Sequence, residues 1–197
     1  MKKVVFIVSV ILNMVFIAYA IYTSRNRIEA FFVKKYKIVF FGDSITAGGD
    51  WRELLQRHDV KNSGLPTLPT RNLLSAVNNT VIKYKPDTCY LMGGINDILM
   101  GVPIKKIDKN YTSIIDTLLM HKITPIIEST LYTTTDSVNY SVDTLNSYLI
   151  ALAKARSLRY IDINKLYSKG HLIQAKFTID GLHLKKESYG IWANALK

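Results

Sequence analysis

The sequence predicts an α/β fold, a parallel sheet covered on both faces by helices. Short continuous apolar runs rich in β-branched and aromatic residues recur after residue 37, and longer segments of helical period lie between them. Strands buried on both faces read as unbroken apolar runs, which is what a parallel sheet between helices requires. The chain of 197 residues, 48% hydrophobic and 21% charged, suits one such domain with its own core. The predicted strands are Lys37–Phe41, a brief one at Val60–Lys61, Thr88–Met92, Thr124–Glu128 and Tyr160–Ile163. The clearest predicted helices are Thr70–Lys83, Asp108–His121 and Val142–Ser157, followed by a C-terminal helix from about Glu187. There is no internal repeat, and no linker after residue 37 long enough to divide the chain again.

The formal net charge is +11, and it is unevenly placed. Residues 1–37 hold seven basic side chains (Lys2, Lys3, Arg25, Arg27, Lys34, Lys35, Lys37) against one acid, Glu29. These charges flank the run Val4 to Tyr22, which is broken only by Ser9 and Asn13 and carries no charge. As a helix it would span about 28 Å, close to the hydrocarbon core of a bilayer. Residues 1–22 therefore read as a single transmembrane anchor. The basic start with Ala18-Tyr19-Ala20 also fits a cleaved secretory signal. Either reading exports the rest of the chain, although the excess of basic residues after the run opposes that orientation under the positive-inside rule. Residues 23–36 form a basic juxtamembrane connector, read as a short surface helix or a plain linker, and residues 37–197 form the globular domain. Basic residues beside an apolar segment point to a membrane partner, and no recognition-helix, RNP-like or Cys/His-finger pattern supports a nucleic-acid one. A lone cysteine, Cys89, excludes an intrachain disulfide and a Cys-rich zinc site.

In open α/β sheets ligands bind outside the carboxyl ends of the strands, so the residues just past each strand carry the information. Four places stand out: Gly42-Asp43-Ser44-Ile45-Thr46, Asn62-Ser63-Gly64, Gly94-Ile95-Asn96-Asp97 and Asp180-Gly181-Leu182-His183. Singly each is ordinary turn or cap chemistry, with Asp43 the natural cap of a helix that starts at Ser44. Together they supply what nucleophilic catalysis by a hydroxyl needs: a base beside the nucleophile, an acceptor that orients the base, and donors fixed for the developing oxyanion. Ser44 is the hydroxyl, His183 the base and Asp180 its acceptor. The backbone N–H groups of Ser44 and Gly64 and the side-chain amide of Asn96 are the candidate donors.

These four blocks, in this order and spacing, resemble those of the SGNH or GDSL hydrolase family over about residues 37–197. The resemblance implies a flavodoxin-like three-layer α/β/α sandwich with about five parallel strands, and a cofactor-free, metal-free serine mechanism with esterase or acyl-transfer activity. By motif position it implies Ser44 as nucleophile, His183 as base, Asp180 as orienting acid, and Ser44, Gly64 and Asn96 as the oxyanion hole. Asp97 would brace the turn that presents Asn96. The block Asn62-Ser63-Gly64-Leu65-Pro66 lacks a further glycine often found in that family's loop. The G-x-S-x-G elbow of the ordinary α/β-hydrolases is absent, since Ile45-Thr46 follows Ser44.

His58, His121 and His171 share no short spacing with carboxylates and read as surface or capping residues. Cys89 reads as a small buried residue of the third strand. The segment Leu131–Tyr140, with two tyrosines and many hydroxyls past the fourth strand, reads as a sugar-binding wall or an ordinary polar loop. Trp51 and Arg52 are either pocket wall or the start of a helix on the sheet. The expected function is a membrane-anchored serine esterase that removes small acyl groups, foremost acetyl, from a cell-envelope glycan. An acyltransferase using the same acyl-serine, a lysophospholipase or thioesterase, and a noncatalytic glycan-binding module are the alternatives. Because the neutral imidazole is the base, hydrolysis is expected to fall as His183 protonates.

Overall fold

The computed structural model describes residues 11–21 and 35–196. Its sheet has five strands, β1 (Ile38–Gly42), β2 (Val60–Gly64), β3 (Thr88–Met92), β4 (Thr124–Glu128) and β5 (Arg159–Ile161), in the order β2-β1-β3-β4-β5. Every neighbouring pair is parallel. This is the doubly wound order in which the chain reverses direction beside β1, leaving a crevice between the carboxyl ends of β1 and β3.

Alternation along each strand builds two cores. Val39, Phe41, Cys89, Leu91 and Ile127 face one side, where α4 (Thr70–Thr80), α6 (Ile104–Met120) and α7 (Asp136–Ala155) contribute Leu73, Ile107, Ile114 and Leu145. Phe40, Tyr90, Met92 and Ile126 face the other, with Trp51 of α3 (Trp51–Leu54), Tyr167 of α8 (Asn164–Tyr167) and Trp192 of α9 (Tyr189–Leu196). The result is the three-layer α/β/α sandwich. Burial pushes the Cys89 thiol far above its usual range, as expected of a packing residue.

Several boundaries differ from the sequence reading. β2 runs on through Asn62, Ser63 and Gly64, because backbone pairing with Phe40, Phe41 and Gly42 continues where apolar character stops. The helix expected over Thr70–Lys83 ends at Thr80; Val81 leaves helical geometry and a 3-10 turn follows at Ile82–Tyr84. A short helix, α5 (Ile95–Leu99), occupies the motif after β3. α6 begins four residues early, directly after Pro103, and α7 begins at Asp136, so the second half of the Leu131–Tyr140 segment is helix, not loop. Trp51 is buried at the start of α3, stacked on Phe40 with ring centroids 4.1 Å apart, and its indole N–H donates to Thr46 O. It is therefore a helix residue packed on the sheet.

Residues 11–21, in the N-terminal unit, are helical (α1), with Leu12, Val15, Phe16 and Tyr19 more than half exposed. Among the described residues no helix is long and apolar enough to cross a membrane. The remainder of the Val4–Tyr22 run, and residues 23–34 of the basic connector, lie outside the described residues.

Glu128 closes β4 with its carboxyl inside the second core. One oxygen accepts the Trp192 indole N–H at 2.7 Å, while the other is buried with no partner among the described residues. Burial pushes this carboxyl from the ordinary 4.5 up to about 8. Its contribution to folding stability is thus fullest below 4.5 and is lost as pH rises toward 8, because only the unfolded chain ionises it freely in that window. Glu128→Gln, which can still accept from Trp192, is expected to melt higher than the parent, with a gain that grows from acid to mildly alkaline pH and reaches a few kcal/mol. Melting curves across that window check this.

Candidate active site

Gly42 ends β1 where nothing larger fits: a Cβ there would lie 2.1 Å from Met92 O of β3 and 2.3 Å from Thr46 Oγ1. Gly42→Ala should therefore prise β1 from β3, costing about 3 kcal/mol, a loss that chemical denaturation would register. Asp43 follows as the N-cap of α2 (Ser44–Ala47), its Oδ1 accepting Ile45 N–H at 3.0 Å. This cap puts Ser44 at the first helical position, where its own N–H has no intrahelical acceptor. Asp43 is buried and its Oδ2 has no partner among the described residues; burial pushes the carboxyl up to about 6.

His183 reaches Ser44 from the far end of the chain, with Ser44 Oγ and His183 Nε2 2.9 Å apart. On the other side of the ring, Nδ1 lies 2.7 Å from Asp180 Oδ2. The second Asp180 oxygen accepts the backbone N–H groups of Leu182 at 3.0 Å and His183 at 2.8 Å. The backbone and side-chain hydrogen bonds from His183 hold the Asp180 carboxyl down at about 2, so it stays ionised through the neutral range. The turn that bears this pair is locked: Ile179 N–H and Thr178 Oγ1 both donate to His183 O, and Thr134 N–H donates to Gly181 O. Gly181 has φ +89°, and a Cβ on it would lie 2.2 Å from Thr134 Oγ1, so glycine is required twice over.

The other motif residues divide. The Asn96 amide donates one N–H to Leu68 O at 3.2 Å, which joins α5 to the loop after β2 and leaves its second N–H as a donor. Asp97 reaches out of its own turn to α4. Its two oxygens accept Thr70 N–H and Thr70 Oγ1–H at 2.8 and 2.7 Å, so it caps α4 from outside, where Pro69 offers no side-chain cap. The backbone N–H of Gly64, a candidate oxyanion donor, meets Asn62 Oδ1 at 2.9 Å. Glycine is also needed for packing, since a Cβ would lie 2.3 Å from Ala47 N.

Asn62 is the residue the motif reading underused. Its Nδ2 approaches Thr46 O, Ala47 O and Gly49 O at 2.8–3.2 Å, pinning the end of the helix that presents Ser44. A second cluster also went unseen: Asp143 of α7 accepts from Tyr132 Oη and pairs with His171 Nδ1 at 2.5 Å, across 28 residues of sequence. His121 follows the capping expectation, its Nδ1 meeting Thr117 O at the end of α6.

The model of the GDSL-like lipase/acylhydrolase family matches residues 40–191, most of the chain and every residue of the site. The chain belongs to this family. N-acylneuraminate cytidylyltransferases of Streptococcus agalactiae are 24% identical over 188 residues, covering 90% of this chain but 43% of theirs. The chain thus spans less than half the length of those curated relatives. In structure it is similar to a GDSL-like lipase from Bacteroides thetaiotaomicron, at TM-score 0.74 and 20% identity, with 81% of this chain and 84% of that one covered. A catalytic mutant of an acetylxylan esterase from Geobacillus stearothermophilus superimposes at TM-score 0.71 and 20% identity, covering 83% and 93%. Likeness at this identity speaks for the sandwich fold.

Proposed function

We propose that this GDSL-like hydrolase is a serine esterase that removes small acyl groups, chiefly acetyl, from an extracytoplasmic envelope carbohydrate while tethered to the membrane through residues 4–22. The observation that carries the chemistry is the Ser44–His183–Asp180 relay, with separations of 2.9 and 2.7 Å. Asp180, ionised, accepts Nδ1–H and so leaves Nε2 bare to take the Ser44 proton. Ser44 Oγ then bonds to the ester carbonyl carbon, and the carbonyl oxygen becomes an oxyanion facing the Ser44 N–H and the free Asn96 amide N–H. Collapse of this intermediate expels the sugar oxygen, which leaves as the alcohol after taking the proton from Nε2. Water, deprotonated by the same nitrogen, attacks the acyl-serine, releases the acid and restores Ser44.

An acylated sugar as substrate is supported by two of the similar proteins, an acetylxylan esterase and an N-acylneuraminate cytidylyltransferase. Tethering is supported by the uncharged Val4–Tyr22 run and by the exposed apolar side chains of residues 11–21, which favour a nonpolar surrounding. Purified protein is expected to release acetate from acetylated oligosaccharides and to prefer acetyl over long-chain aryl esters. Failure to release acid from either substrate class would overturn the proposal.

A further inference from the structure

The amino ends of the parallel strands form an edge the chemistry does not use, and its charge is one-sided. Lys35 and Lys37 precede β1, Lys83 and Lys85 precede β3, and all four are exposed. Lys61 lies near the start of β2, half-buried, and Lys122 and Arg159 continue the basic edge at β4 and β5. The acids there are few: Asp59 is bound by its neighbour Arg57 at 2.8 Å, leaving Asp87 as the exposed opposing charge. Two tyrosines sit among the lysines. Tyr36 meets Tyr84 edge-on with centroids 5.2 Å apart, and the Lys83 and Lys61 ammonium groups lie 4.8 and 6.0 Å from the Tyr84 ring centre.

We infer that this edge is a docking surface for an anionic phospholipid headgroup layer. Lysines grouped beside amphipathic aromatic rings match that layer, where ammonium groups meet phosphate and tyrosine rings settle at the interface. The inference rests on the tethered reading above, in which residues 4–22 hold the chain at a bilayer. Because every strand runs the same way, the Ser44 end lies a strand length beyond the docking edge, roughly 16 Å for five residues. The site therefore opens away from the lipid surface, toward a substrate outside the bilayer, and not onto a lipid of the membrane it sits on.

The test uses residues 35–197, a compact unit holding both cores and the whole site, whose hydrolysis of a soluble aryl ester shows that it is folded. This piece should sediment with vesicles of phosphatidylcholine and phosphatidylglycerol but not with phosphatidylcholine alone. The triple variant Lys61→Gln, Lys83→Gln, Lys85→Gln should bind on the order of a hundredfold more weakly, at roughly fivefold per lysine, with unchanged ester hydrolysis. The parent bound to vesicles should hydrolyse the soluble ester at its free rate. Equal binding to both vesicle types, undiminished binding by the triple variant, displacement of vesicles by duplex DNA, or hydrolysis suppressed on binding would each overturn the inference. The other readings fail separately: the esterase reading if no ester is cleaved without vesicles, and the tether reading if the full chain ignores neutral vesicles.

Discussion

Ser44→Ala is expected to lower kcat for a soluble acetyl ester by roughly 10^5 to 10^6-fold while the protein melts almost where the parent does. The chemical loss is total for the covalent route, because among the described residues Ser44 Oγ is the hydroxyl that meets His183 Nε2. The structural loss is small. Ser44 is half-buried and surrenders one side-chain hydrogen bond, worth about 1 kcal/mol, while the Asp43 cap and the Asn62 clamp still hold α2. What activity persists would come from the oxyanion donors acting on attacking water. Steady-state kinetics beside a melting curve separate this outcome from simple unfolding.

Asp180→Asn should lower kcat by about 10^3 to 10^4-fold with KM little changed. Asn can keep the two backbone N–H bonds through its carbonyl oxygen, so the turn should survive. Its NH2 group then faces His183 Nδ1 as a donor, which drives the ring proton onto Nε2, where it blocks acceptance from Ser44. The pH profile gives an independent reading. With the Asp180 carboxyl depressed to about 2, its carboxylate form persists down to strongly acid pH, so an acid limb well above that value is not the titration of Asp180. A base must be unprotonated to take the Ser44 proton, so the rate is expected to fall toward acid pH. A parent rate that stays flat from neutral to acid pH would contradict this assignment of roles.

Most of the sheet was legible because buried parallel strands are spelled as apolar runs, as in Thr88–Met92 and Thr124–Glu128, which match the structure residue for residue. The candidate site could be read because a doubly wound sheet brings chain ends together at the carboxyl ends of its strands, where Ser44 and His183 meet although they are 139 positions apart. What escaped depends on contacts without a local signature. The end of β2 is polar and is a strand only because β1 lies beside it. The contact of Asn62 with the Gly64 N–H likewise follows from the local backbone path and not from composition. The first turns of α7 were hidden by hydroxyl-rich, loop-like composition, and Asn139 and Asn146 there are buried to hold the loop before them through Thr133 and Thr130. Glu128 ends the strand Thr124–Glu128 in sequence; its burial follows from α9, which arrives some 64 residues later.

The most direct measurement is the reaction of folded protein with a fluorophosphonate, followed by peptide mass mapping. Activation of Ser44 by His183 predicts one adduct, on the peptide containing Ser44, formed rapidly by the parent, far more slowly by His183→Ala and not at all by Ser44→Ala. Modification of another residue, or labelling of Ser44 at an equal rate with and without His183, would contradict it.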